Sequence, residues 1–209
     1  MDHQKLLHAI SFAANKHRNQ RRKNAEKTPY INHPIDVAQS LSNANVTDVN
    51  TLMAAVLHDT IEDTNTTYSE LVSTFGSEVA DIVMEVTDDK SLDKSVRKRL
   101  QIEHAKIASV PAKLVKLADK LSNTLDLLTN PPVSWTKNEI NGYAAWSYMV
   151  VKQMKGTNDD LESKLFSVFE EFGITKLGES ELEAMVEEYY KEMDQRKNAA
   201  VIIIDDLID

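Results

Sequence analysis

The amino-acid sequence predicts an all-α fold, a compact helical bundle with an extra C-terminal helix. Only five glycines and five prolines occur among 209 residues, which favours long helices over a many-turned β structure. Capping residues recur along the chain, and the apolar residues between them follow helical spacing. We expect one compact domain over residues 1–178, and a helical extension with a tail over residues 179–209.

The first three helices are predicted from capping residues and proline. Asp2 can cap the first helix, and Pro34 favours the first turn of the second. Asp48 caps a third helix, VNTLMAAVLHDTIEDT. Its middle is almost entirely apolar, which indicates a central, buried helix.

The later helices begin at residues of the same kind. Thr67 and Thr136 are each followed three residues later by a glutamate, which is the spacing of a capping box. The predicted starts are Thr67, Ser77, Ser95, Pro111, Thr136, Asn158 and Ser180. After the last helix, the tail AAVIIIDDLID contains a short β-prone run that could pair along an edge or dock on a second subunit, so a homo-oligomer stays open.

The charge of the chain is unevenly placed. The net charge is −9, but residues 157–209 hold 15 acidic and 5 basic residues, whereas residues 1–156 hold 18 acidic and 19 basic residues. Because no excess of positive charge covers the chain, we expect no general nucleic-acid binding.

Cysteine usage and hydropathy favour a cytoplasmic protein. The chain has no cysteine, which excludes a disulfide framework and a thiolate metal site. The N-terminus MDHQKLLHAI lacks the layout of a signal peptide, and no apolar run approaches the ~20 residues that span a bilayer. We expect a reducing compartment and no membrane association.

The motif HDTIED, residues 58–63, is the sharpest chemical signal. It lies at the end of the apolar third helix, where His58 and Glu62 are four residues apart, as are Asp59 and Asp63. Carboxylates beside a buried apolar segment are unfavourable unless they are paired or metal-bound. Histidine with carboxylate suits Mn²⁺, Fe²⁺ or Zn²⁺ better than Ca²⁺. The motif alone also fits a solvated helix end.

Two further residues favour the metal site. His33 follows Tyr30 and precedes Pro34, so it projects from a fixed backbone at a helix start. Asp119 lies in the apolar helix segment VKLADKLSN, where an acid is unexpected, although it could simply pair with a lysine of that segment. Together with HDTIED they give the order His, His-Asp, Asp.

That order resembles the HD superfamily of metal-dependent phosphohydrolases. The segments TPYINHP, AAVLHDTIEDT, FGSEVADIVMEVTDDK and KLVKLADKLSN resemble more specifically the hydrolase domain of the RelA/SpoT family, closest to its small stand-alone metazoan form. The likeness covers about residues 5–178. It implies a compact HD-domain helical bundle that uses one Mn²⁺ per chain, with Zn²⁺ or Fe²⁺ as other candidates. It also implies an enzyme that removes the 3′-diphosphate of guanosine 3′,5′-bis(diphosphate), ppGpp.

Residue by residue, the resemblance implies four metal ligands, two catalytic acids and a substrate-binding set. The ligands are His33, His58, Asp59 and Asp119. Glu62 and Asp63 would orient and deprotonate the attacking water and then assist the leaving oxygen. The residues expected to contact the nucleotide substrate are Arg22, Lys23, Lys94, Arg97, Lys98, Asn123 and Tyr143.

Two other functions stay open. An NADPH 2′-phosphatase, or another nucleotide phosphohydrolase, would use the same site. A non-catalytic binding protein could keep the HD fold and dock a partner through its acidic C-terminal helix. For residues 180–209 we expect a packed amphipathic helix without a catalytic role, because none of them matches a metal or acid–base motif.

Overall fold

The structure is a computed structural model that describes the backbone of residues 2–205 and the side chains of residues 2–196. Within residues 2–205 the fold is all-α, as predicted, and one isolated bridge between Arg21 and Pro29 is its only β pairing. The helices are α1 (Asp2–Lys16), α2 (Asn32–Asn43), α3 (Val49–Leu57), α4 (Thr60–Asp63), α5 (Tyr68–Phe75), α6 (Ser77–Val86), α7 (Lys94–Ile107), α8 (Val110–Thr129), α9 (Lys137–Lys152), α10 (Asp159–Glu171) and α11 (Glu179–Asp205), with a 3₁₀ turn at Ile174–Lys176.

Local capping bonds explain why most predicted helix starts are confirmed. The Asp48 carboxylate accepts from the backbone of Thr51 ahead of α3. Thr136 and Glu139 form both bonds of a capping box at the start of α9. The predicted cap at Ser180 is wrong, because α11 already begins at Glu179.

Helix α3 is the centre of the bundle. It packs against α1, α2, α6 and α8, and its residues from Met53 to Leu57 are buried. This confirms the prediction from its apolar sequence, because a helix that is apolar on every side needs neighbours all round. The end of α3, the middle of α8 and the start of α2 thereby meet in one place.

The predicted third helix is broken into α3 and α4, which differs from the expectation of one continuous helix. Asp59 lies between them with φ −94° and ψ −2°, in the bridge region where many active-site residues are found. The Thr60 hydroxyl donates to the carbonyl of Leu57 at 2.7 Å. That bond gives the carbonyl of Leu57, at the end of α3, a hydrogen-bond partner.

The C-terminal region also differs from the sequence expectation. The β-prone run at residues 201–204 continues α11, which ends at Asp205. Residues 206–209, the end of the predicted tail, lie outside the described residues. Among the described residues, no helix is both long and apolar enough to cross a bilayer.

Candidate metal centre and substrate pocket

Three helical regions bring the predicted metal ligands together. His33 comes from the first turn of α2, His58 and Asp59 from the break after α3, and Asp119 from the middle of α8. Nε2 of His33 lies 3.2 Å from Oδ1 of Asp119, and Nε2 of His58 lies 3.7 Å from the same atom. Oδ2 of Asp59 is 3.1 Å from Nε2 of His58 and 3.8 Å from Nε2 of His33.

The outer nitrogens of both histidines are already engaged. Nδ1 of His58 lies 2.7 Å from the carbonyl oxygen of Ala55, and Nδ1 of His33 lies 3.0 Å from Oγ of Ser122. A proton held on Nδ1 leaves the lone pair of Nε2 free for a ligand. Nε2 of His58 is buried and has no hydrogen-bond partner among the described residues, in spite of the nearby carboxylates.

The two carboxylates are oriented by neighbouring donors. The Tyr30 hydroxyl donates to Oδ2 of Asp59 at 2.6 Å. Asp119 accepts from Nζ of Lys120 at 2.8 Å and from Nδ2 of Asn123 at 2.6 Å. Such outer partners fix the direction of metal ligands and are a regular feature of metal sites.

The electrostatics of the cluster fit a cation. Burial lowers the pKa of His58, but the carboxylates of Asp59 and Asp119 outweigh burial and raise this pKa well above its usual value. His33, His58 and Asp119 each offer a ligand atom within 4.8 Å of the others. A divalent ion can replace the proton that the carboxylates otherwise favour on the imidazole. His33, His58 and Asp119 therefore suit a transition metal, with the carboxylate of Asp59 beside them.

The Glu62 side chain lines the same cavity as His33, His58 and Asp119. Its Oε2 accepts from the backbone of Asp88 at 3.1 Å, and Nη1 of Arg97 lies 3.4 Å from its Oε1. Burial and then the Asp88 carboxylate raise the pKa of Glu62 to about 7. A carboxyl group that titrates near neutral pH is well suited to accept a proton.

Asp63 lies apart from Glu62, in the wall of a second, adjoining cavity. Its Oδ2 accepts from Nε2 of Gln20 at 3.0 Å, and its Oδ1 pairs with Lys90. The two acids of the motif therefore face different parts of the pocket.

Cationic side chains crowd the cavity that contains the His33, His58 and Asp119 cluster, which we call the metal-bearing cavity. Lys94, Arg97 and Lys98, which the sequence predicts to contact a substrate, all line it. Nζ of Lys98 lies 3.3 Å from the ring centroid of Trp146, and burial, then the charges of Lys120 and Lys94, lower its pKa well below the usual value. Among the described residues neither Lys94 nor Lys98 forms an ion pair. An anionic ligand in the cavity would neutralise their positive charge.

The second cavity contains the remaining residues that the sequence predicts to contact a substrate. Arg22, Lys23, Asn123 and Tyr143 line it, and Asn123 and Tyr143 also line the metal-bearing cavity. Nη2 of Arg22 donates to Oδ1 of Asn123 at 3.0 Å. The metal-bearing cavity has a volume of about 190 Å³, below the range of ~300–1,000 Å³ that is usual for ligand pockets, so a whole nucleotide needs both cavities.

Several residues that line the two cavities were not predicted from the sequence as residues of the site. Lys116 and Lys120 line the metal-bearing cavity, and burial, then the charge of Lys120, lowers the pKa of Lys116 to about 8. Lys116 lies three residues before Asp119, a helical spacing that signals a shared face, whereas Lys120 is adjacent to Asp119 and carried no such signal. Two tryptophans also belong to the pocket, because Trp135 lines the second cavity and Trp146 lines the first.

Comparisons with known proteins agree on one family. The HD domain family model matches residues 9–140. The chain is 54% identical over 170 residues to the guanosine-3′,5′-bis(diphosphate) 3′-pyrophosphohydrolase MESH1 of Xenopus tropicalis, which spans 81% of this chain and 95% of that protein. The Homo sapiens MESH1 is 53% identical over 171 residues, with 81% and 96% covered.

A solved structure agrees with these relatives. It is of a metazoan ortholog of SpoT that hydrolyzes ppGpp, and it matches with a TM-score of 0.80 at 48% identity, over 81% of this chain and 96% of that one. Since both the family model and near full-length relatives match, this chain belongs to the HD-domain family, in its RelA/SpoT branch and with the small metazoan SpoT orthologs.

Proposed function

We propose that the protein is a metal-dependent hydrolase that removes the 3′-diphosphate of ppGpp, a guanosine-3′,5′-bis(diphosphate) 3′-pyrophosphohydrolase. The observation that carries the proposal is one cavity in which the His33, His58 and Asp119 cluster, the Glu62 carboxyl and the cationic side chains of Lys94 and Lys98 meet. Relatives with this name match over most of the chain, which supports the same substrate here.

His33, His58, Asp59 and Asp119 would hold the cation, and Mn²⁺ is the proposed metal, with Zn²⁺ and Fe²⁺ as the other candidates. A bound divalent cation would polarise the phosphoryl group and make a neighbouring water more acidic. Tyr30, Lys120 and Asn123 keep the carboxylates directed toward that position through their hydrogen bonds.

Glu62 is the proposed general base. Its pKa near 7 allows it to accept the proton of the water that attacks the phosphorus atom. Arg97, at 3.4 Å, orients the carboxylate and can approach the phosphate oxygens. Asp63 faces the second cavity, and we assign it to the leaving oxygen, which lies on the nucleoside side of the broken bond.

The substrate would lie across both cavities. Its reacting diphosphate would meet Lys94, Arg97 and Lys98 beside the metal centre. Arg22 and Lys23 would contact the nucleotide from the second cavity, Asn123 would contact the sugar, and Tyr143 would form the rim against the base. We also propose a cytoplasmic location, which the absence of cysteine supports.

Turnover on a panel of substrates tests the proposal. Purified protein with Mn²⁺ should release diphosphate from ppGpp faster than it releases phosphate from NADPH or dNTPs. His58→Ala and Glu62→Ala should each abolish turnover, whereas the exposed residues of α7 provide matched controls in His104→Ala and Glu103→Ala. Preferential NADPH turnover would identify a 2′-phosphatase, and metal and ppGpp binding without any turnover would identify a binding protein.

A further inference from the structure

Helix α11 lies against the walls of the pocket, although it is beyond the likeness to the RelA/SpoT hydrolase domain. It packs on α9, which carries Tyr143, and on α7, which carries the three predicted substrate cations. Its side chains are described through residue 196, and those that face the bundle are buried. The extension thus contacts two sides of one cavity.

Tyr189 is the point at which α11 meets the aromatic side of the pocket. Its ring is buried, with its centroid 6.3 Å from that of Trp135 and 6.4 Å from that of Tyr143. Nζ of Lys98 lies 5.6 Å from the same ring. Tyr189 therefore packs against Trp135, Tyr143 and Lys98, and these three residues line the cavities.

Gly142 allows this close approach. A Cβ atom at Gly142 would lie only 2.5 Å from Cβ of Tyr189, a distance that real side chains do not reach. Glycine is unfavourable inside a helix, and a close approach of another element is a physical reason for it there. Helix α9 is thus shaped to receive α11 next to Tyr143.

Arg196 fixes the segment that precedes α9. Its Nη2 donates to the carbonyl oxygen of Ser134 and to Oε2 of Glu139, each at 2.6 Å. The Glu139 side chain is buried and belongs to the capping box of α9. The backbone on both sides of Trp135 is thereby tied to α11.

Polar contacts fix α7 to the same helix. Arg99 donates from both Nη atoms to the Glu187 carboxylate, at 2.6 and 2.8 Å, and its guanidinium lies 4.2 Å from the Tyr190 ring centroid. Oγ of Ser95 donates to Oδ2 of Asp194 at 3.0 Å. These contacts hold α7 on its outer side, so that Lys94 and Lys98 face the cavity at a set distance from the aromatic rings.

We propose that α11 is part of the substrate site, in which Tyr189 positions the Trp135–Tyr143 wall for stacking of a purine nucleoside polyphosphate. The inference rests on the proposed function. Tyr189 is a positioning residue, since it touches the wall and not the substrate. Its hydroxyl has no hydrogen-bond partner among the described residues, so the flat ring is the part that acts.

Substitutions at Tyr189 in the full-length protein test this role. Tyr189→Leu keeps apolar bulk but removes the flat ring, and we expect KM for ppGpp to rise roughly tenfold with kcat within about twofold, the order of a lost base–aromatic contact. Tyr189→Phe should behave as the wild type. Val186→Ala is the matched control, because Val186 is buried on α11 beside Met149 and Ile102, away from the two cavities.

A second readout does not depend on turnover. The chain has two tryptophans, so incorporation of 5-fluorotryptophan gives two ¹⁹F resonances, and Trp135→Phe assigns them. We expect Tyr189→Leu and Gly142→Ala to shift the Trp135 resonance, and Val186→Ala to leave it in place. Gly142→Ala displaces Tyr189 from the side of α9 and serves if Tyr189→Leu does not fold.

The outcomes separate this inference from the proposed function. An unchanged KM and an unchanged Trp135 resonance in Tyr189→Leu would overturn the positioning role. An equal rise in KM in Val186→Ala would also overturn it, because α11 would then act only through stability. Wild-type protein that does not hydrolyse ppGpp would refute the function, whereas the ¹⁹F shifts would still decide whether Tyr189 positions Trp135.

Discussion

Nε2 of His33 lies 3.2 Å from Oδ1 of Asp119, and this contact joins the first turn of α2 to the middle of α8. The imidazole is almost fully buried, and its Nδ1 is occupied by Ser122. The pair therefore presents a nitrogen and an oxygen close together, and Nε2 of His58 lies 3.7 Å from the same oxygen.

Metal content is the first test of this geometry. The purified protein should bind about one transition-metal ion per chain, and chelation should remove the ion together with activity. Asp119→Ala should lose the metal, because it removes the oxygen that faces both histidines. Wild-type metal content and turnover in Asp119→Ala, measured beside the exposed control His104→Ala, would show that the ligand set is wrong.

Orientation of the ligands is tested by Tyr30→Phe. This change removes the hydroxyl that donates to Oδ2 of Asp59 and leaves the ring in place. We expect metal affinity to fall by ~10–100-fold, the usual effect of losing an outer partner of a ligand. Tyr68→Phe is the control, since its hydroxyl makes a similar bond to Asp81 on the surface. Equal metal affinities in the two variants would show that the Tyr30 hydroxyl does not orient a metal ligand.

Chemistry and binding are separated by Glu62→Gln. The amide keeps the shape of the side chain but cannot accept a proton, so kcat should fall by ~10²–10⁴-fold with metal content and KM nearly unchanged. Steady-state kinetics and metal analysis measure these quantities. An effect confined to KM would make Glu62 a substrate-binding residue instead.

The pH dependence follows from the pKa of Glu62. Burial and Asp88 raise this pKa to about 7, and the base must be deprotonated to act. The rate should therefore fall about tenfold per pH unit below the pKa of Glu62 and become constant at pH values above this pKa. The bound cation favours the charged carboxylate and moves the acid limb below 7. The residual activity of Glu62→Gln should lack this limb, and a limb that persists there would belong to another group.

Truncation after Gly178 tests our proposal that residues 1–178 form the catalytic domain and that residues 179–209 are an extension of it. The metal ligands and Glu62 all precede α11, so kcat should stay within a few-fold of the full-length value. The melting temperature should fall, since α7 and α9 lose the apolar side chains of α11 that pack on them, such as Val186 and Tyr190. Folded truncated protein whose kcat has fallen by orders of magnitude would show that α11 builds the catalytic centre itself.

The sequence by itself determined most of the helix starts and the chemistry of the predicted ligands. A cap such as Asp48 bonds to a backbone group three residues away, so its effect is contained in a short stretch of chain. The apolar sequence of α3 likewise determined its burial. The order His33, His58-Asp59, Asp119 predicted a metal centre because few other structures need these residue types in such apolar surroundings.

Only the tertiary structure decided how these parts face one another. The break at Asp59 depends on what packs around α3, and it sends Glu62 and Asp63 into different cavities. Trp135 lines the second cavity and lies 6.3 Å from the ring of Tyr189, which α11 places against Gly142. These relationships join residues far apart in sequence, and their free energy comes from packing and burial, which no local pattern of residues contains.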